Sequence, residues 1–200
     1  MRLELSEDLS MMKSLTLDGM RWPRTLSFVS GIGMMAASLL TIRHYFAANF
    51  PESIFEGSFC DISAFFNCDS SAFSSISAVT GVPLGYFGLI VGALVALGAL
   101  FPSDSFERTN TFIALFNILG AAALFLYTVF VLGSLCLLCS GYYLFSLLSF
   151  ILFWRYGIGR GMDRFPVRYF RPSLKMLLTF AVIAALGAYG MAVLHEAKEE

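Results

Sequence analysis

Apolar residues in this chain come in long unbroken runs rather than in alternation. Five stretches carry almost no charge: Leu26 to Ala48, Val82 to Phe101, Thr111 to Leu132, Leu135 to Trp154 and Met176 to Leu194. A helix crosses a hydrocarbon core of about 30 Å with roughly 20 apolar residues, so each run predicts a membrane span. The third and fourth belong to one uncharged run, Thr109 to Trp154, about twice the length a single crossing requires. It must fold back, and Gly133 with Ser134 is the expected turn. The first span is too long and too far from the N-terminus for a cleaved signal peptide, so it reads as a retained helix. Between the first two spans, Asp69 to Thr80 is too short and polar to cross. It predicts a short capping helix over the outer mouth, with Gly81 and Pro83 turning the chain into the second span.

Composition supports this pattern. The 200 residues are 58% hydrophobic and 14% charged, with a mean hydropathy of +0.75, outside the balance of a soluble domain. A net charge of -1 leaves no basic surface of the kind nucleic acid requires.

Placement of charge sets the expected topology. Lys13, Arg21 and Arg24 precede the first span, and Arg155, Arg160, Arg164, Arg168, Arg171 and Lys175 fill the link before the fifth. Basic loops stay in the cytoplasm. Between Arg43 and Arg108 there is no Lys or Arg, while Glu52, Glu56, Asp61 and Asp69 follow the first span. That loop is expected outside. The organisation read from this is a cytoplasmic segment over 1–25, a catalytic unit over 26–155, a basic cytoplasmic linker over 156–175, and a fifth helix with a short outer tail over 176–200.

All four cysteines then fall on the outer face: Cys60 and Cys68 in the loop, Cys136 and Cys139 at the outer end of the fourth span. That face is the periplasm of a bacterium or the lumen of a secretory pathway, where disulfides persist; the small size of the chain favours a bacterial inner membrane. A C-x7-C pair in a polar loop and a C-x-x-C pair at a membrane boundary are what a disulfide relay needs, one pair accessible and the other sheltered, joined by thiol–disulfide exchange. Helix N-termini favour the reactive thiolate. Cys136 and Cys139 fall in the first turn of span four, and Cys68, followed by Asp69, Ser70 and Ser71, is expected to open the short helix. A dithiol at the bilayer surface can meet a lipid-soluble quinone. Phe65, Phe66 and Phe73 near the loop pair, and Tyr142 and Tyr143 below Cys139, would suit its flat ring, with a tyrosine hydroxyl on a quinone carbonyl.

Plainer readings stand beside these. The cysteines suit two static disulfides; they suit zinc poorly, because C-x7-C makes a bad second knuckle. No metal site is expected, since His44 and His195 have no ligating neighbours. The tyrosines also suit an interfacial aromatic belt, and Ser74 a local cap. Gly88 and Gly92 are spaced for close helix packing, and Asn117 for a bond to a neighbouring helix.

The segments "CDISAFFNC", "SSISAVTGVPLGYFG" and "CLLCSGYY" resemble the vitamin K epoxide reductase family in its bacterial form, over roughly residues 25 to 155. The resemblance implies an all-α integral membrane fold: a four-helix bundle around a quinone, here with a fifth transmembrane helix, an outer loop and a short capping helix. It implies that a reduced thioredoxin-fold partner attacks Cys60, that Cys68 exchanges with Cys136, and that Cys139 delivers electrons to ubiquinone or menaquinone. Ser74 falls where the family often has a serine near the active site. Tyr143 falls where vertebrate members have a tyrosine on the ligand carbonyl. The asparagine that vertebrate members place near the start of span two is absent, with Leu84 close to its position, which favours plain quinone reduction over epoxide reduction. Many bacterial relatives also carry a thioredoxin-like domain after a fifth helix; with the chain ending shortly beyond its own, the thiol partner is expected to be a separate periplasmic protein.

Overall fold

The computed structural model describes residues 2–49, 66–79, 82–101, 103–156 and 173–199. The first helix, α1, runs over Arg2–Asn49, so the N-terminal segment continues the first span as helix instead of ending at Leu26. Its apolar part, Trp22–Ala48, is long enough to cross a membrane. A five-residue helix, α2 (Cys68–Ala72), is followed by turns and a two-stranded antiparallel ribbon, β1 (Ala78–Val79) and β2 (Val82–Pro83), in register Ala78 with Pro83 and Val79 with Val82.

The remaining spans are α3 (Leu84–Leu100), α4 (Asp104–Tyr127) continued by a π-helical turn over Thr128–Leu132, α5 (Leu137–Tyr156) and α6 (Leu174–Glu199). Residues Arg108–Leu132 also have crossing length, whereas the apolar parts of α3, α5 and α6 are shorter, Leu84–Leu100, Leu137–Phe153 and Leu174–Gly190. These sit at the short end of the about 17–25 residues that suffice.

The capping helix expected over Asp69 to Thr80 is confined to its first turn. Ser74 donates both its amide and its hydroxyl to the Ser71 carbonyl, and the Ser77 amide bonds to the Ser74 carbonyl. Such local serine bonds compete with helix propagation, and the β-branched Val79 and Val82 then pair as ribbon.

Burial is inverted relative to a water-soluble bundle. Ser30, Ser38, Thr109, Asn110, Ser146 and Ser149 are at most 2% exposed, while Phe130 is 78%, Leu144 65% and Leu186 68% exposed. Apolar surface on the outside of every long helix, with hydroxyls inside, is the pattern that lipid solvent selects. The chain is an all-α membrane protein.

The inner polar groups tie helices together. Ser30 Oγ lies 2.7 Å from Ser149 Oγ and donates to the Phe145 carbonyl at 2.8 Å, joining α1 to α5. Asn110 Nδ2 of α4 donates to the Leu94 carbonyl of α3 at 3.0 Å. The closest crossing is between α1 and α3, where Gly31 and Gly92 face each other's backbones. Helix α6 is held more lightly: Tyr86 of α3 packs over Gly187 and donates to the Ala184 carbonyl at 3.2 Å.

Candidate active site

Two short segments, far apart in sequence, are strapped together at one end of the helices. Asn67 is the N-cap of α2, its Oδ1 accepting the Ser70 amide at 2.9 Å. Phe66 forms a parallel bridge with Leu135, and the Asn67 amide donates to the Leu135 carbonyl at 3.1 Å. The Ser70 and Ser134 hydroxyls are hydrogen-bonded across the same junction.

On the α5 side the chain reverses at Gly133, whose φ of 65° lies in the left-handed region that glycine adopts without steric cost. The amides of Gly133 and Ser134 both donate to the Thr128 carbonyl. The turn is therefore where the uninterrupted apolar run suggested, and α5 opens directly after Cys136.

This strap brings Cys68 and Cys136 together. Both are buried, at 0% and 3% exposed, and their sulfurs are 3.2 Å apart, the Cys136 thiol donating to Cys68 Sγ. Cys68 is disulfide-bonded, whereas Cys136 and Cys139 carry reduced thiols. A buried thiol in contact with a disulfide sulfur is a ground-state arrangement for exchange. The Cys139 amide, in the first turn of α5, is directed at Cys136 Sγ at 3.4 Å, an orientation that favours negative charge on that sulfur.

Helix α2 is also anchored to α1. His44 is 7% exposed, and its Nε2 stands 3.0 Å from Asp69 Oδ1. No ligating neighbour of His44 is visible along the chain, because the residue it meets lies on another element. The N-cap of α2 is Asn67, and an asparagine directly before Cys68 is the local sequence signal for it.

Two adjoining cavities share Cys139 and Tyr143 in their walls. The first lies against Cys68, Cys136, His44 and Ser74. The second, about 710 Å³ including its open mouth, runs between α1, α3, α4 and α5 and is bordered by Ser38, Gly88, Asn117 and Tyr142. Leu84 and Gly85, at the start of α3, border both. Tyr142 donates to Asn117 Oδ1 at 2.6 Å and Asn117 Nδ2 to Ser146 Oγ at 2.9 Å. Asn117 thus bonds a neighbouring helix, as its mid-span position suggested.

Of the residues singled out for a quinone, Tyr143, Tyr142 and Ser74 line these cavities, although the Ser74 hydroxyl is spent on Ser71. Phe73 is 62% exposed and borders neither of the two cavities. Cys60 and Phe65 lie outside the described residues. Among the described residues there is no cluster of His, Cys, Asp and Glu able to hold a metal ion.

The model of the vitamin K epoxide reductase family matches residues 24–154, which takes in α2 to α4 and nearly all of α5 and of the membrane-crossing part of α1. No curated protein matches the chain. With buried cysteines of two separate segments in contact inside a lipid-facing helical fold, and a family match over more than half its length, the chain belongs to the vitamin K epoxide reductase family and is a membrane oxidoreductase.

Proposed function

We propose that this protein is a quinone-dependent thiol oxidase that supports disulfide formation outside the cytoplasm. The observation that carries the reading is the 3.2 Å contact between Cys136 Sγ and Cys68 Sγ, one a reduced thiol and the other a disulfide sulfur.

The sequence of exchange starts at Cys60. A thiolate of a reduced thioredoxin-fold partner attacks Cys60 of the Cys60–Cys68 disulfide, and the partner's second thiolate resolves the mixed species, leaving the partner oxidised and the loop pair reduced. Cys68 thiolate then attacks Cys136 of a Cys136–Cys139 disulfide. A Cys68–Cys136 bond forms, and Cys139 leaves and takes up a proton. Cys60 thiolate attacks Cys68, restores the loop disulfide and releases Cys136. Two thiols are oxidised and one disulfide is reduced at each transfer, so the electron count closes.

A bound quinone supplies an acceptor for two electrons and two protons, the amount that Cys136 and Cys139 release on forming their disulfide. The residues present fit such a group. The second cavity has largely apolar walls, opens between helices and reaches Cys139, and Tyr143 stands at the same wall. Cys139 is the thiol next to the acceptor, and Cys136 is the one that communicates with the loop. Residues 26–155 form the catalytic four-helix unit in this reading, with 156–175 as basic cytoplasmic linker and α6 as an added anchor. The charge distribution supports an inside N-terminus and cysteines on the outer face, which in a bacterial inner membrane is the periplasm.

Quinone reduction by the detergent-solubilised protein, driven by a reduced thioredoxin-fold protein, tests the reading. Turnover that vanishes in Cys139→Ser while a Cys68–Cys136 mixed disulfide accumulates is the expected result. Normal quinone reduction in Cys139→Ser refutes the assignment; cysteine pairs that never change redox state under these conditions would mark a static scaffold.

A further inference from the structure

Ser38 is 2% exposed, and its hydroxyl has no hydrogen-bond partner. Hydroxyls in membrane helices are ordinarily satisfied, either by a carbonyl one turn earlier or by a neighbouring helix. Its neighbours in α1 follow that rule: Thr41 donates to the Ala37 carbonyl at 2.8 Å, and Ser30 reaches α5. Ser38 does neither, and leaving a buried donor unmade is costly.

Ser38 borders the second cavity, which Cys139 and Tyr143 also line. Across from it is Gly88 of α3. A Cβ at Gly88 would come 2.6 Å from Ser38 Oγ and 2.8 Å from the Tyr142 ring. Gly88 thus lets the α3 backbone and the Tyr142 ring close on the orphaned hydroxyl without either bonding it. Tyr142 is no substitute donor at this wall, its O–H being committed to Asn117.

We propose that Ser38 Oγ is the hydrogen-bond donor to one carbonyl oxygen of the quinone. This deepens the quinone-oxidase reading and rests on it. A para-quinone carries oxygens at both ends of a flat ring, and the cavity has a redox thiol in one part of its wall and a lone hydroxyl in another. Serine also suits both forms of the ligand. It donates to a quinone carbonyl and accepts from the O–H of the quinol.

The test measures binding and stability separately from turnover. A short-tailed naphthoquinone, labelled with 13C at its carbonyls, is titrated into the purified protein, and its carbonyl stretch is read by infrared difference spectroscopy. With wild type we expect a band displaced to lower frequency. Ser38→Ala should return that band toward its unbonded position, weaken binding by about three- to tenfold, and raise the melting temperature of the ligand-free protein, because an unsatisfied donor has been removed. Ser38→Thr should keep the displaced band. An unchanged band and affinity in Ser38→Ala overturn the Ser38 assignment and leave the relay standing. Absence of quinone binding in wild type overturns both.

Discussion

The α1–α3 crossing can be tested by adding one carbon to it. In Gly31→Ala the new Cβ would lie 2.6 Å from the Ala96 amide nitrogen and 2.8 Å from the Gly92 carbonyl oxygen. Ordinary van der Waals contact begins near 3.4 Å, so the two helices must separate locally by about 0.8 Å, a distance that follows from those two values. Both opposing atoms are backbone, so no side chain can rotate away. Overpacking of this kind costs about 1–3 kcal/mol, and the better helix propensity of alanine returns at most about 1 kcal/mol. The net loss is roughly 1–2 kcal/mol, which for a chain of this size lowers the melting temperature by about 2–8 °C. Gly190→Ala is the control. A Cβ there meets nothing within 4 Å, so only the propensity gain remains and its melting temperature should hold or rise. Thermal unfolding of both variants in the same detergent decides the matter. If Gly31→Ala melts at or above wild type, the two helices do not meet through bare backbone, and the account of their packing is wrong.

Two further outcomes follow from the strap around the cysteines. Asp69→Ala removes the group that His44 meets on α2 and should slow electron transfer from the loop pair to the C-x-x-C pair by about tenfold through misplacement of Cys68. Quinone reduction started by reducing Cys136 and Cys139 directly with a phosphine should stay at the wild-type rate; equal loss in both assays would make the contact a matter of general stability. Gly133→Ala meets no atom within 4 Å, so its cost is conformational alone, about 1–2 kcal/mol for a left-handed residue with a side chain. Gly133→Asn should cost less, and identical melting of all three proteins would show that the φ of 65° is not required.

What sequence made legible here depended on how far each interaction reaches. Long apolar runs announced the spans, and Gly133 announced the reversal, because each signal is carried by consecutive residues. Cys68 at the start of a helix was also local, resting on the polar residues around it. The length of α2 was misjudged because the Ser71–Ser74–Ser77 bonds that stop it compete with helix only marginally. The extension of α1 to Arg2 was missed because its first turns lack the apolar continuity by which the spans were recognised. His44 and Asp69 are on different elements, so nothing in either local sequence marks the pair. Ser30 and Ser38 look alike in a helical sequence; only packing shows that one is bonded to Ser149 and the other is left without a partner.

The parallel bridge between Phe66 and Leu135 and the bond from the Asn67 amide to the Leu135 carbonyl are made by main chain. What they fix is a count: Cys68 stands two residues beyond the bridge on one strand and Cys136 one residue beyond it on the other. Side chains at 66 and 135 are not part of that count, so this junction should tolerate substitution there readily. An insertion or deletion of a single residue on either side would change that count and displace one cysteine by about 3.8 Å, one Cα step along the chain, which separates the two sulfurs. The alignment of the two cysteine pairs is thus written in spacing more than in residue identity, and mutational scans of this stretch should find length changes far more damaging than replacements.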